Sequence, residues 1–309
     1  MATQILLLIT GLMLLVVGSN YLLKSAVDLS LKLKLSKVVI GLTVVSFATS
    51  APELLISISS ALKGSADIAI SNVIGSNIAN LGLVLGTALC FTKIKIPKSN
   101  MKFDWTFLMI ISFLFFYFIN DLSVSRSEVI LLFLALILFL VFIIKIRNDA
   151  DVEDLKINTS SNFKILILIL VSIILLYYGS ELFVNSSIYF AEYFGISERI
   201  IGLTLVAIGT SLPELVTTLV AIYKSELDIS IGNIIGSNIF NILAVIGLTS
   251  IVTDLNILSE RILSFDIYVM ILFSFILMFF YLLDNKRFLN IYHGIIYILL
   301  FVTYYIYII

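Results

Sequence analysis

The chain has 309 residues, 61% of them hydrophobic and 13% charged, with a formal net charge of −1 at pH 7. A soluble domain carries roughly a quarter charged residues, so this composition excludes one and implies a polytopic membrane protein. Lys and Arg are scattered over loops without a basic stripe for nucleic acid. One cysteine, Cys90, and one histidine, His293, leave neither an internal disulfide framework nor a Cys/His zinc site.

Crossing the hydrocarbon core takes ~20 apolar residues. Ten runs qualify, at about 4–23, 38–62, 66–92, 103–120, 126–146, 163–187, 199–223, 227–252, 264–283 and 288–308. Their length and lack of alternation predict helices and not a barrel. No Lys or Arg precedes Lys24, so the first run lacks the basic region of a secretory signal and reads as a span.

The second and third runs hold the chemistry. From Gly41 to Gly86 the sequence is GLTVVSFATSAPELLISISSALKGSADIAISNVIGSNIANLGLVLG, with Glu53 deep in apolar surroundings. An ionisable side chain inside a membrane segment is a functional-site hypothesis by default. Pro52 removes an amide donor and clashes with the carbonyl one turn back, so the second helix should break or unwind there. Irregular backbone at that depth must be buried in protein or line a watered cavity. Freed carbonyls, the hydroxyls of Thr49 and Ser50 and the Glu53 carboxylate are hard oxygen donors, which suit sodium or calcium and not a soft metal. In the next span Ser76 and Asn80 are four apart and share a helical face. Asn72 and Asn77 read as hydrogen-bonding glue between helices, and Gly75 as a close-contact residue. Asp67, at the membrane edge, reads as a helix cap.

The fourth and fifth runs are Phe- and Ile-rich scaffold, with Trp105 an interfacial anchor. The hydrophilic stretch 147–162 (RNDADVEDLKINTSSN) is the one segment of linker composition, and it divides the chain into halves 1–146 and 163–309. Five spans is an odd number, so the second half enters the membrane from the opposite face.

That half repeats the first. From Gly202 to Gly247 it reads GLTLVAIGTSLPELVTTLVAIYKSELDISIGNIIGSNIFNILAVIG, aligning with Gly41–Gly86 without a gap. Glu53 pairs with Glu214, Thr49 and Ser50 with Thr210 and Ser211, Pro52 with Pro213, Ser76 with Ser237, and Asn80 with Asn241. Asn233, Asn238, Gly236 and Asp228 take the readings of Asn72, Asn77, Gly75 and Asp67. Internal duplication is itself a fold signal, and inverted repeats with interrupted polar helices point to a secondary transporter with its site at the repeat interface. A protonated carboxyl bridging helices is the plain alternative for each glutamate, but two symmetric copies beside a helix-breaking proline favour a cation site. Glu181, near the end of the sixth span, is a candidate entrance residue, and His293 reads as a packing residue.

Basic residues cluster after the odd-numbered spans, as with Lys24, Lys32, Lys34 and Lys37, then Lys93, Lys95, Lys98 and Lys102, then Lys145, Arg147, Lys156 and Lys164. Lys63, Arg126, Arg199 and Arg261 fall on the opposite side. By the positive-inside rule both termini are extracytoplasmic.

At ATSAPE with GSNIAN (Ala48–Glu53, Gly75–Asn80) and GTSLPE with GSNIFN (Gly209–Glu214, Gly236–Asn241), the chain resembles the cation/calcium exchanger superfamily, most closely the prokaryotic sodium/calcium exchangers. The resemblance implies an all-α protein of ten transmembrane helices, built as two inverted repeats of five with broken second and seventh helices, in the plasma membrane of a prokaryote. It implies a core of the second, third, seventh and eighth helices, across which the first and sixth move. Glu53 and Glu214 would be the principal calcium and sodium ligands. Thr49, Ser50, Ser76, Asn80, Thr210, Ser211, Ser237 and Asn241 would line the same cluster, with backbone oxygens of Ser46 and Ala207. Potassium-dependent relatives carry Asp at the position of Asn241, which disfavours potassium cotransport here. Ala48 stands where the second copy has Gly209, so unwinding in the first copy has less conformational freedom.

The expected activity is electrogenic exchange of sodium for calcium by alternating access, with a calcium/proton or other divalent cation/proton antiporter as the alternative and a channel as the rival outside antiport. No enzyme chemistry, cofactor or obligate protein partner is implied. The expected partners are the transported ions and the bilayer.

Overall fold

A computed structural model describes residues 1–95, 98–146, 160–195, 207–256, 259–283 and 288–308. Its helices are α1 (Ala2–Leu33), α2 (Lys37–Thr49), α3 (Ala51–Leu62), α4 (Ala66–Phe91), α5 (Lys98–Ile119) and α6 (Arg126–Ile146) in the first half. The second half holds α7 (Asn162–Tyr193), α8 (Ala207–Thr210), α9 (Leu212–Tyr223), α10 (Leu227–Val252), α11 (Ile262–Leu283) and α12 (Ile291–Ile308). Among the described residues eight helices are long and apolar enough to cross a membrane, and α2 with α3 form a ninth span bent by 41°. Shorter α9, with α8 before it, occupies the later part of the expected seventh span, whose first residues lie outside the described ones. So does most of the central linker, including Arg147 and Lys156.

The first and sixth spans run longer than the apolar pattern suggests. Each is a helix of 32 residues, about 48 Å at 1.5 Å per residue. Nothing between Lys24 and Leu33 breaks α1, which ends only where Lys34 takes left-handed backbone at φ 54°.

The duplicated halves are inverted. Gly11 of α1 meets Gly179 and Phe183 of α7, while Gly18 meets Leu175 and Leu176. Contacts that descend on one helix as they ascend on the other mean that α1 and its counterpart α7 are antiparallel. Helices α4 and α10 cross in the same sense, with Asn77 against Asn241 and Asn80 against Asn238. The hairpin turns preceding these two helices, at Lys63–Ser65 and Lys224–Glu226, therefore lie on opposite faces.

Two short strand pairs tie the halves together. Strand β1 (Ile94–Lys95), after α4, pairs antiparallel with β4 (Phe288–Leu289), before α12. Strand β3 (Leu255–Asn256), after α10, pairs with β2 (Ser123–Val124), between α5 and α6. The loop leaving each core helix is thus stitched to the outer helices of the other half.

Of the eight membrane-length helices described, α10 is the most enclosed, buried over 89% of its apolar window against 28% for α1, α6, α7 and α12. The duplicated polar motifs thus lie at the centre, and the apolar scaffold faces outward.

Candidate functional site

The break in each motif helix is confined to one residue. Ser50 and Ser211 leave the helix with nearly the same backbone, φ −83°, ψ 4° and φ −86°, ψ 5°. Each is followed by a new helix with proline in its first turn, where a missing amide costs nothing. The chain therefore bends instead of unwinding over several residues. Glu53 and Glu214 sit in the first turn of α3 and α9, at the positive end of the helix dipole, where a carboxylate is favoured.

Both glutamates are fully buried, at 0% exposure, and so are Thr49, Asn80, Ser237 and Asn241. Ser50, three residues before Glu53 on the first broken helix, reaches the Glu214 carboxylate of the second, which brings the two glutamate-bearing segments together. Ser50 Oγ donates to Glu214 Oε1 at 3.2 Å, and the hydroxyls of Thr49 and Ser237 flank the same carboxylate. Thr49 pairs with Ser237 at 3.3 Å, and its symmetry counterpart Thr210 pairs with Ser76 at 3.2 Å.

Asn80 and Asn241 each open a widened π-helical turn, Asn80–Leu85 and Asn241–Ile246. Such bulges are frequent at functional sites. The extra residue re-aims the helix where these amides sit. Their orientation is then fixed from behind: Asn80 Nδ2 donates to Asn238 Oδ1 at 3.0 Å, and Asn241 Nδ2 donates to Asn77 Oδ1 at 3.1 Å. The two bonds are symmetry counterparts. With their nitrogens held, Asn80 and Asn241 are left presenting Oδ1.

Several oxygens of this cluster have no hydrogen-bond partner among the described residues: Glu53 Oε1 and Oε2, Glu214 Oε2, Asn80 Oδ1, Asn241 Oδ1 and Ser211 Oγ. An unsatisfied buried polar atom costs about 1–3 kcal/mol, more when charged. Most of these atoms can only accept, and acceptor-only oxygens around two carboxylates are the donor set of a hard cation. No group of three or more His, Cys, Asp or Glu suited to a metal occurs among the described residues. The cluster is therefore of low charge, built largely from hydroxyls and amides.

Hydrogen bonds across the two halves thus join Ser50 to Glu214, Thr49 to Ser237 and Ser76 to Thr210, while Glu53, Asn80, Ser211 and Asn241 are buried on the same crossing helices. Ser46 is different. Its hydroxyl turns away to Gly41 O at 2.7 Å and Asn233 O at 3.1 Å, and its carbonyl accepts the Ser50 amide at 2.9 Å. Ala207 opens α8, with its side chain outside the described residues. The carbonyl freed by Pro213, that of Gly209, is taken by Ser180 Oγ of α7 at 2.6 Å. It is thereby bound to a neighbouring helix.

The contrast between Ala48 and Gly209 has a packing cause rather than a conformational one. A Cβ on Gly209 would come within 2.2 Å of Val184 Cγ2, so glycine lets α7 approach α8. Gly236 is a close-contact residue as expected, because its Cβ would meet Leu42 O and Leu42 Cα at 2.7 Å. Gly75 is not, since nothing described lies within 4 Å of the corresponding point. Asp67 does not cap its own helix: Ser65 is the N-cap residue, and Asp67 Oδ1 accepts from Ser259 N at 3.3 Å. Glu181 is exposed on α7. Trp105 Nε1 donates to Ser274 O at 2.6 Å, and His293 packs 4.6 Å from the Phe280 ring.

Comparison with known proteins agrees with this architecture. The sodium/calcium exchanger protein family matches residues 3–145 and 164–309. The sodium/calcium exchanger MaX1 of Methanosarcina acetivorans is 37% identical, over 89% of this chain and 90% of its own length. The inner membrane protein YrbG of Escherichia coli is 34% identical, over 80% of this chain and 79% of its own. A solved structure of the sodium-calcium exchanger NCX_Mj superposes with a TM-score of 0.81 at 29% identity, covering 97% of both chains. The chain is therefore a membrane transport protein and not an enzyme, and it belongs to the sodium/calcium exchanger family.

Proposed function

We propose that this protein exchanges sodium ions for calcium across the plasma membrane of a prokaryote, binding both at the cluster around Glu53 and Glu214 and exposing it to alternate faces. The observation that carries the reading is the set of unpartnered, acceptor-only oxygens around two buried carboxylates, contributed symmetrically by inverted halves. One calcium ion neutralises two carboxylates, and several sodium ions can replace it on the same oxygens, so the ions compete for one site. Ligands are Glu53, Glu214, Asn80, Asn241 and the hydroxyls of Thr49, Ser50, Ser76, Thr210, Ser211 and Ser237, with the Ser46 and Ala207 carbonyls adding backbone oxygen. Relatives named as a sodium/calcium exchanger and as an inner membrane protein support the ions and the location. The distribution of Lys and Arg supports extracytoplasmic termini.

Calcium flux into proteoliposomes, with sodium, proton and potassium gradients imposed separately, is the test. Uptake driven by an outward sodium gradient and indifferent to protons and potassium is expected. Uptake that follows a proton gradient in the absence of sodium would assign the protein to cation/proton exchange, and calcium flux without counterflow would make it a channel.

A further inference from the structure

Asn72 and Asn233 occupy equivalent places in the two motifs, and every group that either side chain bonds has a chemical counterpart in the other half. Thr49 corresponds to Thr210, Ser57 to Thr218 and Glu53 to Glu214. Yet the two asparagines are used differently. Asn72 lies along its own hairpin, with Nδ2 donating to Ser57 Oγ at 3.0 Å and to Glu53 O at 3.3 Å. Asn233 reaches across to the other half, its Oδ1 accepting from Thr49 Oγ1 at 3.1 Å. This choice leaves two buried groups without a partner, Asn233 Nδ2 and Thr218 Oγ1, although both residues are 0% exposed. These are the groups that would pair if Asn233 adopted the arrangement of Asn72. Asn72 is half-buried while Asn233 is fully enclosed, so the side of the first hairpin is the less sealed one here.

We propose that Asn72 and Asn233 are exchanging latches: when the site turns to the opposite face, Asn233 folds back onto Thr218 Oγ1 and Glu214 O while Asn72 crosses to Thr210. The inference rests on the alternating-access reading above and adds positioning residues to it. A hydrogen bond made in only one of two states shifts their ratio by its own net strength, here about two- to tenfold. Ser57 stabilises only the present state and Thr218 only the other, so their removal must push in opposite directions. An asparagine pair serving merely as glue would not produce opposed shifts.

The test uses full-length protein in oriented membrane vesicles, with Cys90→Ser and a single reporter Ser211→Cys, labelled by a membrane-impermeant thiosulfonate from each face. Ser57→Ala should raise labelling from the face of the Lys224–Glu226 turn, relative to the other face, by two- to tenfold. Thr218→Val should lower it by a similar factor, the double variant should return to the parent ratio, and Thr218→Ser should match the parent. If Thr218→Val fails to insert, Thr218→Ala replaces it. Unchanged ratios, shifts of the same sign, or labelling confined to one face in every variant overturn the proposal. Gradient-driven calcium flux of the unmodified protein is measured alongside. Its absence together with opposed labelling shifts would refute the antiport reading alone, whereas normal flux with unshifted labelling would refute the latches alone.

Discussion

At the residue scale the site separates oxygens that face its centre from groups that aim them. In the proposed site Glu53 and Glu214 supply the charge, and replacing either with Gln would keep the shape while halving the countercharge available to a bound calcium ion. Each of Glu53→Gln and Glu214→Gln should abolish sodium-driven calcium uptake in proteoliposomes while leaving the detergent-solubilised protein folded by circular dichroism. Normal transport by both would remove these glutamates from the site. Asn77 and Asn238 act one step back. They hold the nitrogens of Asn241 and Asn80, so that neither amide can turn a donor toward a cation. Loss of such an outer partner typically weakens metal binding 10- to 100-fold. Asn77→Ala and Asn238→Ala should each raise the half-saturating calcium concentration by about tenfold or more, with the maximal rate less affected. An unchanged calcium dependence in either variant would show that the amide orientation is set elsewhere.

At the element scale the two copies of one motif are packed differently, so equivalent substitutions should have unequal effects. Helices α2 and α10 touch backbone to backbone: a Cβ on Gly232 would lie 2.6 Å from Val38 O, and one on Gly236 2.7 Å from Leu42 O. Backbone cannot swing aside as a long side chain can, and overpacking costs about 1–3 kcal/mol. Gly236→Ala should therefore lower the thermal midpoint of the solubilised protein by several degrees, while Gly75→Ala leaves it within error. Equal losses would mean that Gly75 is also tightly packed. This difference was not legible in the sequence, where both glycines read GSNI. The broken helices were legible, because proline has one strong local consequence wherever it falls. So was the burial of the paired polar residues, because an ionisable or amide side chain kept at the same place in two apolar copies needs an enclosed, polar setting. The π-helical turns at Asn80 and Asn241 carry no residue signature of their own, since one extra residue in a helical turn leaves the apolar run unbroken. The strand clasps are two residues long and lie in loops, below the length at which alternation can be read. The long ends of α1 and α7 were missed for a simpler reason: the apolar pattern stops at the membrane edge and the helix does not.

At the scale of the whole molecule, inversion turns a local duplication into a device for transport. Two helices related by the duplication, α1 and α7, run antiparallel against each other across the outside of the crossing. Both are hydrogen-bonded to the second broken helix, Ser19 to Thr217 at 2.9 Å and Ser180 to Gly209 O at 2.6 Å. Under the alternating access proposed above, a site between inverted halves can face either side, because the surroundings of one half in one state become those of the other half in the next. In the proposed sodium/calcium exchange, the charge carried through each cycle depends on how many sodium ions replace one calcium beside the two carboxylates. With one calcium the two carboxylates are neutral, and with three sodium ions the complex carries one extra positive charge. Moving one charge across the full potential is worth roughly 2.3 kcal/mol per 100 mV, or a roughly fortyfold shift in the exchange equilibrium at 1.4 kcal/mol per tenfold. In proteoliposomes clamped by a potassium gradient with valinomycin, the calcium ratio reached at a fixed sodium gradient should therefore shift by about that factor per 100 mV, an interior-positive potential favouring sodium exit in exchange for calcium. A calcium ratio that ignores voltage while still following sodium would mean two sodium ions per calcium, with the carboxylates alone setting the stoichiometry.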